Sequence, residues 1–160
     1  MNQIASYGEL LIRQMARDGH AMPMRERVHS FETLMKEAPQ LKLAVFHHFS
    51  PGIYCRELHI PAGVITTGKI HKFACLNIMS KGERSTLIGD QVIRIKAPFI
   101  HTAPAGTKRI SFTHEDSVWI TVHENPTEER DTDELERMLV ADSEEEYEAF
   151  LATENRQCLS

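Results

Sequence analysis

The 160-residue sequence has little cysteine and no long hydrophobic run, and each absence excludes a class of protein. The three cysteines, Cys55, Cys75 and Cys158, form no C-x-x-C pair and indicate no disulfide framework, which is typical of a reducing compartment. No apolar run approaches the roughly 18 residues that a membrane helix needs. The N-terminus lacks a basic region followed by an apolar one, so it predicts no secretory signal. We therefore expect a cytoplasmic protein without a membrane partner.

Two enzyme signatures are also absent. The sequence contains neither a Ser-His-Asp nucleophile arrangement nor a glycine-rich phosphate loop. Its composition, with 41% hydrophobic and 26% charged residues in 18.3 kDa, is that of one globular domain with a real core.

Basic charge is scarce and unevenly distributed. The formal net charge is −5, yet residues 1–123 carry 15 basic and 10 acidic side chains, whereas residues 124–160 carry 3 and 13. A mildly basic body without interleaved aromatic residues gives no support for a nucleic-acid partner. The acidic C-terminal part is expected to lie over the body or over a neighbouring subunit, or else to be a solvated helix face.

What the sequence does contain is a change of hydrophobic period. Residues 3–18 and 30–38 predict helices, because apolar side chains recur there at three- and four-residue spacing. From residue 41 the pattern alternates, and turns return roughly every 8–12 residues, which is typical of an antiparallel sandwich or barrel. The expected turns lie at residues 47–52, 61–63, 81–83, 89–90, 104–106 and 115–116.

The part after Pro126 predicts two more helices. Asp131 with Glu134, and Ser143 with Glu146, each fit the capping box that satisfies first-turn N–H groups. Acidic residues also crowd both helix starts, where the helix dipole favours them. The expected organisation is an N-terminal helical extension (1–40), a β-barrel (41–125) and an acidic helical tail packed on the barrel (126–160).

Reactive side chains are expected to meet on one strand face. Alternate residues of a strand share a face, so Lys69 and His71 line up, and Cys75 and Asn77 can face them from the next strand. A buried lysine needs a counter-ion, for which Glu57 on the adjoining strand is the natural candidate. Alternatively, Lys69 and Glu57 form only a structural ion pair, or Lys69 faces solvent.

Residues 63–82 and the Pro-Ala-Gly turn at 104–106 resemble the two motifs of the cupin superfamily. This resemblance implies a mainly β fold, a single antiparallel jelly-roll barrel with helices at both ends. More narrowly, the sequence is similar to small cupin-like proteins of tailed bacteriophages and prophages. The runs that carry the narrower resemblance are 47–57 (HHFSPGIYCRE), 68–72 (GKIHK), 104–109 (PAGTKR) and 115–123 (EDSVWITVH).

The cupin resemblance also assigns four places to a site. Metal-binding cupins usually use a His-x-His pair, a glutamate and a later histidine, and those places hold Lys69, His71, Cys75 and Arg109 here. His71 keeps the usual ligand, and Cys75, where the narrower family tends to have histidine, could bind a metal as a thiolate. If they point inward, the cations Lys69 and Arg109 favour a carboxylate or phosphate ligand instead.

The remaining histidines predict a second set of candidates. Only one of His47 and His48 can join a site if they lie in a strand, because neighbours point to opposite faces. A cluster from His101, His114 and His123 would bind a divalent metal, although lone strand histidines are more often satisfied core residues. Phe112 and Trp119 are expected in the core.

Three functions therefore stay open. The first is binding of a small anionic ligand or a metal in the barrel, which includes sensing or sequestering a host signal. The second is a non-enzymatic accessory or assembly protein that contacts phage structural proteins, in the virion or the host cytoplasm. The third is a metal-dependent isomerase, lyase or dioxygenase-like enzyme. A homo-oligomer is expected.

Overall fold

Antiparallel strands dominate a computed structural model of the chain, which describes residues 3–17, 24–37, 39–88 and 91–157. None of the helices within these ranges is long and apolar enough to cross a membrane. The helices are α1 (Gln3–Arg17), α2 (Met24–Lys36), α3 (Thr132–Leu139) and α4 (Glu144–Gln157). The strands are β1 (Ala44–Ser50), β2 (Ile53–Ile60), β3 (Ile65–Thr67), β4 (Ile70–His71), β5 (Cys75–Ile88), β6 (Gln91–Lys96), β7 (Phe99–Ala103), β8 (Ile110–Glu124) and β9 (Val140–Ala141).

The main sheet has the order β1-β2-β8-β5-β6, with β3 paired to β8 and β7 paired to β5. A separate ribbon joins β4 to β9, and every pair is antiparallel. The long strands β5 and β8 each serve two groups of partners, so they connect both halves of the sheet. The expected fold class, a mainly β antiparallel domain with helices at both ends, is confirmed.

The register of the main sheet defines rows of side chains. Residues paired directly across antiparallel strands point to the same face. His47, Arg56, Thr121 and Asn77 form one such row across β1, β2, β8 and β5. A second row on the same face contains Val45, Leu58, Trp119 and Met79. This inner face is therefore mixed in character, with a polar row beside a largely apolar one.

The N-terminal helices cover the other half of the sheet. Ile12 and Val28 are fully buried against Leu87, Ile110 and Phe112 of β5 and β8. The expected core position of Phe112 is confirmed. Gly8 lies so close to the Phe112 ring that any Cβ there would overlap it, which explains a glycine inside α1.

Two of the expected turns are wrong, because the strands run through them, and the turn expected at 47–52 is confined to residues 51–52. β1 extends to Ser50, so His47 and His48 lie within a strand. β5 continues through residues 81–83 and β8 continues through 115–116. The expected hairpin turn at 89–90 lies outside the described residues, although Ile88 does pair with Gln91 as that hairpin requires.

A bulge around Gly82 replaces the expected turn in β5. The register shifts between Met79 and Arg84, and Gly82 has φ of 90°. A Cβ at Gly82 would lie 2.6 Å from the carbonyl oxygen of Asp116, so only glycine fits this backbone. Bulges insert one extra residue and change which side chains face inward. Met79 faces inward before the bulge, and Arg84 faces inward after it.

The C-terminal helices begin where the capping pattern predicts. The Asp131 side chain accepts from the backbone N–H groups of Asp133 and Glu134, at 2.9 and 3.2 Å. Ser143 Oγ accepts from the N–H of Glu146 at 3.2 Å. Lys72 Nζ lies 2.9 Å from Glu146 Oε1, and β9 pairs with β4, so this acidic segment lies over the body.

Candidate functional site

A cavity of about 590 Å³ lies against the inner face of the main sheet. Its other walls are residues 66–69, His71, Arg109 and α3. This volume lies within the range of small-molecule sites in proteins. Strand alternation explains which side chains reach it, because Tyr54, Arg56 and Leu58 line the cavity while the residues between them face away.

Two arginines meet over the single tryptophan of the chain, Trp119. Arg84 Cζ lies 5.4 Å and Arg109 Cζ 5.8 Å from the centroid of its ring. Arg84 is 4% exposed, and its Nη2 donates to Thr66 Oγ1 at 2.5 Å. Arg109 Nη2 donates to His101 Nε2 at 2.9 Å. Trp119, expected in the core, instead lines the cavity and carries two cations on its ring.

These two guanidinium groups have no carboxylate partner within ion-pair distance among the described residues. Arg84 Nε is in addition buried without a hydrogen-bond partner. Burial, and then the charge of Arg109, lowers the pKa of Arg84 to about 10. Burial also lowers the pKa of Arg109. Arg84 therefore remains cationic at neutral pH, and the cavity contains two positive charges without a carboxylate at ion-pair distance in the described part of the chain.

Asn77 fixes the orientation of the tryptophan. Its Oδ1 accepts from Trp119 Nε1 at 3.1 Å and from Thr121 Oγ1 at 3.0 Å. Its Nδ2 donates to Cys75 Sγ at 3.6 Å. Asn77 is 1% exposed, and a buried amide with these partners holds the surrounding side chains in one arrangement.

His71, Cys75 and His123 form a second cluster at the edge of this network. One potential ligand atom of each lies within 4.8 Å of the other two, and Cys75 Sγ is 3.7 Å from His71 Nδ1. The ring centroids of His71 and His123 are 5.5 Å apart. His123 Nδ1 is buried without a hydrogen-bond partner. Two imidazoles and a thiol are a donor set that suits zinc and similar transition metals.

Both histidines of this cluster are neutral at pH 7. Burial, and then the charges of His123, Arg109 and Arg56, lower the pKa of His71 to about 4. Burial and then Arg56 lower the pKa of His123 to about 4. Burial raises the pKa of the Cys75 thiol, which Asn77 and Arg109 partly oppose. A neutral imidazole is the form that binds a metal, whereas the thiol must lose its proton.

Tyr54 and His47 continue the aromatic lining from His123. The Tyr54 ring stacks on His123 with centroids 6.2 Å apart and on His47 at 5.9 Å. His47 Nδ1 and Tyr54 Oη are hydrogen-bonded at 2.8 Å. Of the adjacent pair, only His47 reaches the cavity, while His48 faces the other side of the sheet, as strand geometry requires.

The expected pairing of Lys69 with Glu57 is wrong. Lys69 lines the cavity, but its Nζ contacts Glu136 Oε1 at 2.5 Å and Asp142 Oδ1 at 2.6 Å. Glu57 faces away from the cavity and accepts from His48 and His59, at 2.9 and 2.6 Å. The reason is strand parity: Arg56 points inward, so its neighbour Glu57 points outward.

The later histidines do not form one cluster. His123 joins His71 and Cys75, whereas His101 contacts Arg109. His114 lies beside the N-terminal core, where its Nε2 is 2.7 Å from Ser85 Oγ and its ring meets Phe112 edge-on. Of the residues predicted for the site, the structure brings His71, Cys75 and Arg109 close to one another. Lys69 lines the same cavity with a partly exposed side chain.

Sequence reasoning missed Arg84 and Arg56 as cavity residues. Arg56 had a usable signal, because it alternates with Tyr54 and Leu58 on one face of a predicted strand. Arg84 had none, because residues 81–83 were predicted to be a turn and not a bulge that resets the alternation.

No protein-family model matches the chain, and no curated protein matches it. Among solved structures it is similar to a cupin-2 domain protein from Shewanella frigidimarina, at 12% identity and a TM-score of 0.43, over 59% of this chain and 92% of that one. KdgF from a Halomonas species matches at 14% identity and a TM-score of 0.47, over 59% and 89% of the two chains.

A salicylate 1,2-dioxygenase from Pseudoaminobacter salicylatoxidans matches at 10% identity and a TM-score of 0.48, over 64% of this chain but 31% of the dioxygenase. Cupin-domain proteins therefore stand among the structural neighbours. At these identities and TM-scores the likeness carries over neither a ligand nor a reaction to this chain.

Proposed function

We propose that the protein binds a small anionic molecule in the cavity, with Arg84 and Arg109 as the groups that hold it. The observation that carries this proposal is the pair of guanidinium groups over Trp119. No carboxylate of the described residues lies within ion-pair distance of either group. Two like charges on one ring repel each other, and an anion between them would remove that repulsion. Charge-assisted hydrogen bonds from arginine are the usual means of binding a carboxylate or phosphate.

A purely structural role for these arginines accounts for less of the geometry. A structural buried cation is ordinarily paired, since leaving it unpaired is costly. Arg84 has instead one hydroxyl partner, Thr66, and an Nε without any partner. The cavity beside it has room for a ligand that would satisfy the remaining donors.

The proposal is tested by titrating the fluorescence of Trp119, the only tryptophan, with acetate, hexanoate and inorganic phosphate. We expect saturable quenching that weakens with salt, and at least a roughly tenfold loss of affinity in Arg109→Gln, which is 1.4 kcal/mol or more. Arg94→Gln, on β6 and away from the cavity, is the matched control and should bind normally. Absence of any saturable response, or equal affinities in the Arg109 and Arg94 variants, would refute it.

The geometry also favours a metal ion as a second ligand. We propose that His71, Cys75 and His123 hold it, because their donor atoms converge and His123 Nδ1 is buried without a partner. Three protein ligands leave coordination positions open, which is typical of zinc sites that bind further ligands. When bound, the metal would supply a Lewis-acidic centre beside the arginines.

Cobalt titration tests this metal site directly. Co²⁺ bound through a thiolate gives charge-transfer absorption in the near ultraviolet, and we expect one equivalent to produce it. Cys75→Ser should abolish the band, whereas Cys55→Ser, which faces away from the cavity, should keep it. A band that survives Cys75→Ser, or no band in the unmodified protein, would contradict the assignment.

The other expectations from the sequence stay predictions. They are a homo-oligomeric state, a bacteriophage origin with phage structural proteins as partners, and a location in the host cytoplasm or the virion. The enzymatic alternative, an isomerase, lyase or dioxygenase-like activity, also stays open as a prediction.

A further inference from the structure

The cavity has an apolar wall next to its cationic side. This wall consists of five aliphatic side chains, which belong to β1, to β2 and to the segment before β1. They are Leu41, Leu43, Val45, Leu58 and Ile60. The polar row of His47, Arg56, Thr121 and Asn77 lies beside it. Leu41 is 57% exposed, so this wall extends to the outside of the protein.

The register of the sheet places this wall in line with the arginines. Trp119 pairs with Leu58, which pairs with Val45, so the three side chains form one row. Neighbouring strands lie about 4.8 Å apart, and the row therefore extends roughly 10 Å from the tryptophan ring. Arg84 and Arg109 lie on that ring, at the end of the row where Arg84 and Met79 are buried.

The burial of the arginines limits the charge of the anionic group. Arg84 Nη2 donates to Thr66 and Arg109 Nη2 donates to His101, and both groups keep further N–H donors for a ligand. Arg84 is 4% exposed, so a ligand that reaches it must lose its water. Because desolvation costs more for the up to two charges of a phosphate than for the single charge of a carboxylate, the site favours a carboxylate.

We infer that the ligand is an amphipathic carboxylic acid, with its carboxylate between Arg84 and Arg109 and an apolar body along Trp119, Leu58 and Val45. The inference rests on the proposed function and adds the chemical class of the ligand. An apolar body of medium length, aliphatic or aromatic, fits a row of two strand spacings. A small hydrophilic anion would leave the aliphatic wall in contact with water, and the wall would add nothing to its affinity.

A homologous series of carboxylates tests the inference. Acetate, butyrate, hexanoate and octanoate are titrated by Trp119 fluorescence and by calorimetry on the full chain. We expect affinity to rise roughly threefold to fourfold for each methylene that the wall buries, and then to level off once the chain passes Val45. Hexyl phosphate, with the same tail, should bind more weakly than a carboxylate of equal length.

Val45→Thr is the informative variant, since threonine has nearly the same shape and the same preference for strands. It should weaken octanoate binding by roughly threefold or more and leave acetate binding unchanged. Phe46→Thr, one residue along on the outward face, is the matched control and should leave the whole series unchanged.

The outcomes separate this inference from the proposed function. Equal affinities for acetate and octanoate would overturn the apolar body and leave anion binding intact. Tighter binding of hexyl phosphate than of the carboxylates would overturn the carboxylate assignment. No saturable response to any anion, in both the unmodified protein and Arg109→Gln, would overturn the inference together with the function on which it rests.

Discussion

Replacement of Arg84 by methionine is expected to abolish anion binding and at the same time to stabilise the fold. Neutral pH lies below the lowered pKa of about 10, so the charged form and its full cost are present in the folded protein. That lowering corresponds to about 3 kcal/mol at most. Loss of the hydrogen bond to Thr66 offsets part of it, and we expect a net gain of roughly 1–3 kcal/mol in the free energy of unfolding.

Urea denaturation of the two proteins measures this gain, with ligand titrations on the same samples. The control is Arg94→Met on β6, which is exposed and should change stability by no more than about 0.5 kcal/mol. A destabilised Arg84→Met would mean that the guanidinium group is a structural element of the core. Unchanged ligand affinity in that variant would remove Arg84 from the site.

Replacement of Asn77 by leucine should have the opposite effect on stability, a loss of about 2–4 kcal/mol. Leucine has a similar volume, so the loss would come from polar groups and not from a void. Trp119 Nε1 and Thr121 Oγ1 would each lose the acceptor that Asn77 Oδ1 provides. A buried donor without a partner costs about 1–3 kcal/mol.

Denaturant unfolding and the emission spectrum of Trp119 together check this result. Thr121→Val, which removes one of the two donors and leaves no orphan, is the graded control and should cost only about 1 kcal/mol. We also expect weaker anion binding in Asn77→Leu, because the ring under both arginines loses its fixed orientation. Wild-type stability in Asn77→Leu would show that the amide holds nothing in place.

Local patterns predicted the features that depend on neighbouring residues. The capping residues Asp131 and Ser143 mark the true helix starts, because a capping box is contained within four residues. His71 and Cys75 also meet as predicted, since four residues and one tight connection separate them. In each case the chain has little freedom between the two groups.

Features that depend on pairing between distant strands could not be predicted from the pattern. The alternation of β2 was correct, but pairing Glu57 with Lys69 required both to face inward, and β3 ends before Lys69. His123 is 48 residues from Cys75 in the sequence, and only the register of β5 with β8 brings the two together. Such contacts are set by long-range pairing, which no local spacing specifies.

The bulge at Gly82 decides which charge β5 presents to the cavity. Glu83 lies outside, where it contacts Arg94 and Lys96, while Arg84 lies over the indole ring. Because alternate residues of a strand face opposite sides, deleting one residue from this part of β5 is expected to turn Glu83 inward and Arg84 outward. The charge that this strand presents therefore depends on an odd or even number of residues, as much as on the identity of any side chain.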